Sequence, residues 1–168
     1  MNRLTNNAVC GALFAAVLTL CAWITIPTPI PVTLQTFGVY VALLLGGRRG
    51  TMAVAVYLLL GGVGVPVFSG FHGGLGNLFG PTGGYLWGLL GLCGVYALCT
   101  HRRSSLAAKL TGLLLGTLLC YGLGGGWFLW QTAADPLAVV YATAVFAAAD
   151  GVKLWLAIYV KKRLGEAI

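Results

Sequence analysis

A chain of 168 residues carries only 10 Lys or Arg and 3 Asp or Glu, while 59% of it is hydrophobic. Soluble domains carry roughly 25% charged residues; with 8% and a mean hydropathy of +0.93, this chain cannot cover its exterior with water-binding side chains. Its solvent is lipid, which excludes a cytosolic enzyme, a secreted disulfide scaffold and a disordered tail, and makes the net charge of +7 a matter of membrane topology before nucleic acid.

A spanning helix needs about 20 mainly apolar residues, and Pro, Gly and basic pairs mark the breaks between such runs. The first run, from Ala8 to Ile26, follows Arg3 as a signal peptide would, but it is longer than a usual h-region and lacks a small-residue cleavage site, so it reads as a span. The second, about 34–46, is short and ends at GGRRG; the third runs about 50–68, with GGVGVP loosening its end. The fourth covers about 83–100, the fifth about 106–124 and the sixth about 138–160. The fold class is therefore all-α: a polytopic membrane protein, one domain over 1–168, built as a compact bundle of six transmembrane helices. The 26 glycines fit close helix packing, since small residues let backbones approach where lipid supplies no hydrophobic drive.

Charge placement tests that division, because cytoplasmic loops accumulate Lys and Arg. With the N- and C-termini cytoplasmic, Arg3, Arg48, Arg49, Arg102, Arg103, Lys109, Lys161, Lys162 and Arg163 all fall at the inner face. The three outer segments, IPTPIPVT, SGFHGGLGNLFGPTGG and GGGWFLWQTAADP, hold only His72 and Asp135 as ionisable groups. Trp127 and Trp130, on the last of these, suit an interfacial belt.

The remaining basic residue, Lys153, lies inside span six with Asp150. Charges at membrane depth are costly, and those that remain face a protein interior, a partner or a ligand. The two stand three apart, hence on one helix face, and Asp150 precedes Lys161 by a roughly 16 Å rise, near mid-bilayer. They read either as an ion pair locking helix packing or as part of a ligand site, and the outer segments offer the rest of a pocket.

The second outer segment is long for so small a protein and reads as a lid folded inward. Its glycines allow close backbone approach, Asn77 supplies an amide that both donates and accepts, and Phe68, Phe71, Phe79 and Tyr85 supply apolar walls. Asn77 has a plainer reading too, as an amide capping its own loop. In the first segment Pro27, Pro29 and Pro31 enforce a stiff, extended crossover. Thr33, Gln35 and Thr36 follow it, with Thr33 equally suited to cap the next helix. His72 reads as an ordinary loop histidine rather than a pH switch.

Other chemistry is poorly supported. No Gly-Lys dipeptide occurs, so there is no Walker A motif, and the glycines of GLGNLFG lack the basic partner a phosphate site needs. No H-E-x-x-H, no G-x-S-x-G and no paired intramembrane carboxylates are present, which argues against an enzyme. The five cysteines are scattered singly and read as small core residues, with no metal site. In span one, Ala8, Ala12 and Ala16 at spacing four form a flat small-residue face that packs either within the bundle or against a partner.

Three blocks, PVTLQTFGVYVALLLGGRRG at 31–50, YLLLGGVGVPVFSGFHGGLGNLFGPTGGYLWG at 57–88 and ADGVKLWLAIYVKKRL at 149–164, carry a resemblance that covers nearly the whole chain. The sequence resembles the BioY family, the biotin-binding S components of energy-coupling factor (ECF) vitamin transporters. The resemblance implies a six-helix membrane bundle in a prokaryotic cytoplasmic membrane, with biotin bound near the outer face as transported ligand and no cofactor. It implies work with a transmembrane coupling protein of the EcfT or BioN type and two cytoplasmic ATPases, docked on Ala8, Ala12 and Ala16. The site it implies is Asn77, Asp150 and Lys153, joined by Gln35, Thr33 and Tyr85. Biotin offers two ureido N–H donors, a ureido carbonyl, an apolar thioether ring and a carboxylate; Asp150 would accept an N–H and Lys153 would pair with the carboxylate. An S component for thiamine or riboflavin, a solitary ATPase-independent carrier, and a non-transporting structural subunit are the rival readings. Lys153 argues against cationic thiamine.

Overall fold

The computed structural model describes residues 3–28, 30–102 and 105–165, and among these the side chains from residue 7 to residue 164. Pro29, Arg103 and the side chain of Arg3 lie outside the described residues. Helices occupy most of the rest: α1 (Arg3–Trp23), α2 (Gln35–Gly46), α3 (Arg48–Gly62), the single turn α4 (Leu75–Leu78), α5 (Gly83–Thr100), α6 (Leu106–Thr132) and α7 (Pro136–Gly165). Three of them, α5, α6 and α7, are long and apolar enough to cross a membrane.

Local chemistry accounts for most boundaries. After α1 the chain forms a two-stranded antiparallel ribbon, β1 (Thr25–Ile26) and β2 (Val32–Thr33), with Thr25 opposite Thr33 and Ile26 opposite Val32. The proline-rich crossover is thus a hairpin rather than a straight strut. Thr33 then accepts a hydrogen bond from the Gln35 N–H at 3.2 Å, satisfying a donor at the start of α2. Gly47, with φ +53°, reverses the chain between α2 and α3 in a conformation that favours glycine. Helix α3 ends at Gly62, six residues before the expected limit, because Gly64 turns at φ +103° and Pro66 follows.

The largest departure from the sequence reading lies in α6, which continues through GGGWFLWQT to Thr132, a stretch expected to loop outside the bundle. Only residues 133–135 connect α6 to α7. Here glycine is a packing device: a Cβ on Gly124 would fall 2.2 Å from the Tyr85 ring, so the helix survives its glycines by lying close against α5. Trp127 and Trp130 therefore sit on a helix end. The Trp127 indole donates to the Gly80 carbonyl at 3.0 Å, while Trp130 remains largely exposed.

Helix α2 is the hub. Every residue from Gly38 to Leu44 is buried, and α1, α3, α5 and α7 all pack on it. Helices α5 and α6 form a tight pair; a Cβ on Gly116 would meet the Leu92 backbone at 2.9 Å. Helix α7 rests mainly on α2 and touches α6 less. Its outward face presents Leu137, Val140, Tyr141, Val145, Val152 and Trp155, each more than half exposed. Such a continuous apolar exterior is what a lipid-solvated helix shows and a water-soluble monomer avoids.

Candidate ligand-binding site

One cavity of about 320 Å³ opens between the hairpin, the 63–82 segment, the starts of α2 and α5 and the middles of α6 and α7. That size lies at the lower end of the roughly 300–1,000 Å³ usual for small-molecule sites. Thr33, Gln35, Asn77, Tyr85, Asp150 and Lys153, separated by up to 120 positions, all line it.

The floor is polar and its side chains are bonded to one another. Asp150 and Lys153 are 5% and 7% exposed, and Lys153 Nζ lies 2.5 Å from Asp150 Oδ1. Thr36 Oγ1 donates to the same oxygen at 2.7 Å and accepts from Lys153 Nζ at 3.0 Å. The second carboxylate oxygen accepts from the Tyr121 hydroxyl at 2.7 Å and the Tyr40 hydroxyl at 3.3 Å. Tyr40 in turn shares a 2.8 Å hydrogen bond with Thr117. A carboxylate offers about four lone-pair positions; here Thr36, Lys153 and Tyr121 take three, and Tyr40, whose single hydroxyl hydrogen also faces Thr117, stands at the fourth. The ammonium has three N–H groups, and two of them go to Asp150 and Thr36.

Higher in the cavity, Gln35 donates from Nε2 to the Tyr57 hydroxyl at 2.9 Å, which fixes the amide's orientation. Asn77 donates from Nδ2 to the Gly73 carbonyl at 2.7 Å, so the loop-capping reading describes its position while its side chain still borders the cavity. The buried Tyr85 hydroxyl has no hydrogen-bond partner among the described residues, and the Tyr85 ring stands edge-on to Phe146 with centroids 6.1 Å apart. Phe68 and Phe146 supply the apolar walls.

Phe71 and Phe79, expected as walls, do not line the cavity. Phe71 packs on Trp23 with centroids 4.8 Å apart, and Phe79 lies 6.1 Å from the Trp87 ring. The 63–82 segment does fold over the cavity, held to the hairpin by a 3.1 Å hydrogen bond from Ser69 to Thr25.

Tyr40, Thr117 and Tyr121 were not singled out from the sequence. A signal was there: Thr36 with Tyr40, and Thr117 with Tyr121, are hydroxyl pairs spaced four apart in apolar helices, which places each pair on one face. Ala8, Ala12 and Ala16 are exposed on α1, away from the cavity, whereas Gly11 and Ala15 turn into the bundle.

The BioY family model matches residues 1–168. A biotin transporter BioY of Thermotoga maritima is 44% identical over 116 residues, covering 68% of this chain and 69% of that protein. A probable biotin transporter BioY of Pyrococcus horikoshii is 34% identical over 157 residues, covering 91% and 92%. The fold also matches a crystal structure of the S-component for biotin from an ECF-type ABC transporter, with a TM-score of 0.84, 26% identity, and coverage of 99% of this chain and 95% of that one.

Proposed function

The chain belongs to the BioY family, and we propose that it captures biotin from outside a prokaryotic cytoplasmic membrane as the substrate-binding subunit of an ECF transporter. The observation that carries this reading is the buried Asp150–Lys153 pair at the floor of a cavity of small-molecule size. In this reading the six longer helices span the bilayer, and the basic termini and turns face the cytoplasm.

The charge balance of the floor sets the orientation of the ligand. Asp150 and Lys153 neutralise each other, so a buried ligand carboxylate would find no uncompensated positive charge there and would bear its full desolvation cost. The neutral ureido ring suits the floor better. Its carbonyl takes the third N–H of Lys153, and its N–H groups donate to the lone pairs of Tyr121 and to the Gln35 amide oxygen. The thioether ring lies between Phe68, Tyr85 and Phe146, Asn77 closes the site, and the valerate runs toward the mouth. Asp150, held by Thr36, Lys153 and Tyr121 with Tyr40 at its remaining position, orients Lys153 and Tyr121 rather than meeting the ligand. This reverses the Lys153–carboxylate pairing expected from residue types alone.

The subunit performs no covalent chemistry. The exposed face of Ala8, Ala12 and Ala16, flanked by the exposed Leu13 and Leu20, supplies a surface on which a transmembrane coupling protein docks closely, with two cytoplasmic ATPases energising release. Titration of the purified protein with biotin tests capture. Biotin heat that disappears in Lys153→Met supports the site, and full affinity in that variant refutes it.

A further inference from the structure

We propose that His72 reads the biotin carboxylate at the mouth of the cavity, so that capture is tighter when His72 is protonated. The inference rests on the ligand orientation given above. With its ureido ring on the neutral floor, biotin brings one negative charge to the rim. Apart from Lys153, His72 is the one cavity-lining residue among those described whose side chain has a cationic form.

His72 is placed for that role from both sides. Its carbonyl accepts from the Phe68 N–H at 2.9 Å, closing a small antiparallel bridge. Its Nδ1 lies 2.9 Å from the Ser69 carbonyl, an atom that only accepts, so Nδ1 carries the hydrogen. Nε2 is then the nitrogen that gains the second proton and with it a donor for a carboxylate oxygen. The turn that presents the ring is unusual: Gly70 has φ +70° and Phe71 has φ 61°, a left-handed conformation unfavourable for a bulky residue. Packing of Phe71 on Trp23, whose indole donates to the Pro66 carbonyl at 2.9 Å, holds it there. Strain kept by surrounding contacts is a feature of ligand-clamping turns.

Among the described residues lining the cavity, no competing charge stands beside the imidazole. The end of α1, the hairpin from Thr25 to Thr33 and the 63–82 segment contain no other Asp, Glu, Lys, Arg or His. The remaining titratable groups lining the cavity are Tyr85, Cys120, Tyr121 and the paired Asp150 and Lys153. Asp135, at the start of α7, does not line it.

The test is calorimetric titration with biotin and with biotin methyl ester from about pH 5.5 to about pH 8.5, a range over which a carboxylate stays ionised. Wild-type Kd for biotin should rise about five- to tenfold as pH increases, the size of one charge-assisted hydrogen bond weakened by solvent at an exposed rim. The ester should show no such slope. His72→Gln should bind biotin weakly at every pH, and His72→Arg, a permanent cation, should bind it tightly at every pH. A slope that persists in His72→Gln, or that the ester shares, overturns the assignment. Tight binding with a flat wild-type profile overturns it too and leaves biotin capture standing, whereas absence of biotin binding by folded protein at every pH removes the reading on which it rests.

Discussion

Lys153 reaches back one turn of α7 to Asp150, placing its Nζ 2.5 Å from Oδ1, instead of extending toward the basic end of the helix. A lysine at that depth has two ways to keep its charge: stretch its stem to the interface, or find a counter-ion inside. Here it takes the second, and Thr36 on α2 bonds both partners. The pair thereby adds a polar tie between α7 and the hub of the bundle, on which α7 already packs.

Breaking the pair is costly because it leaves one buried charge uncompensated. Asp150→Asn should destabilise the protein by about 3–5 kcal/mol and abolish biotin binding. The double replacement Asp150→Asn with Lys153→Met removes both charges and should recover most of the thermal stability without recovering binding. Melting and titration of the three proteins check this, and binding by the double variant would reduce the pair to a structural lock.

Tyr121 contributes a hydroxyl and nothing else to the floor. Tyr121→Phe keeps the ring against its apolar neighbours and removes the hydroxyl oxygen that accepts from the ligand, a neutral hydrogen bond of about 0.5–1.5 kcal/mol. Biotin affinity should fall about three- to tenfold with the fold intact. Unchanged affinity would take Tyr121 out of the site.

The α5–α6 pair depends on contact between backbones. A Cβ at Gly116 would lie 2.9 Å from both Cα and O of Leu92, atoms that cannot step aside as a flexible side chain does. Gly116→Ala should cost about 1–3 kcal/mol through overpacking, and Gly116→Val more. The measurement is the melting temperature in detergent. Gly122→Ala, at a position with nothing within 4 Å of the added carbon, is the control and should leave it unchanged.

Ala12 lies on the exposed face of α1 and touches no part of the cavity. Ala12→Trp should stop biotin uptake by cells while leaving binding to the purified subunit intact, since a bulky residue there blocks close approach of a partner helix. Loss of binding as well would show that the face serves the bundle itself.

The sequence made the outline of this molecule readable, and the limits of that reading have physical causes. Runs bounded by basic pairs located α5 from Gly83 to Thr100 and the second helix to within a residue, because Pro, Gly and charge all change at those ends. The end of α6 was missed because glycine weakens a helix in water, whereas in a close-packed pair it is what lets the helix continue; the Gly124–Tyr85 contact decides that, and it is tertiary. At the site, buried charges drew attention to Asp150 and Lys153, since little else explains ions in an apolar helix. Tyr40 and Tyr121 escaped notice because a tyrosine in a membrane helix fits a core, an interface or a site equally well, and only the distances to Asp150 choose among them. Phe71 shows the opposite error: it stands in the right segment, but its left-handed turn sends the ring to Trp23.

The most direct test of the account is titration of ligand-stripped protein in detergent with biotin, thiamine and riboflavin in parallel, repeated with Lys153→Met. Saturable one-to-one binding of biotin alone, lost in Lys153→Met while that variant remains folded, is the predicted result. Tight binding of thiamine or riboflavin instead of biotin, or biotin affinity unchanged without Lys153, would contradict it.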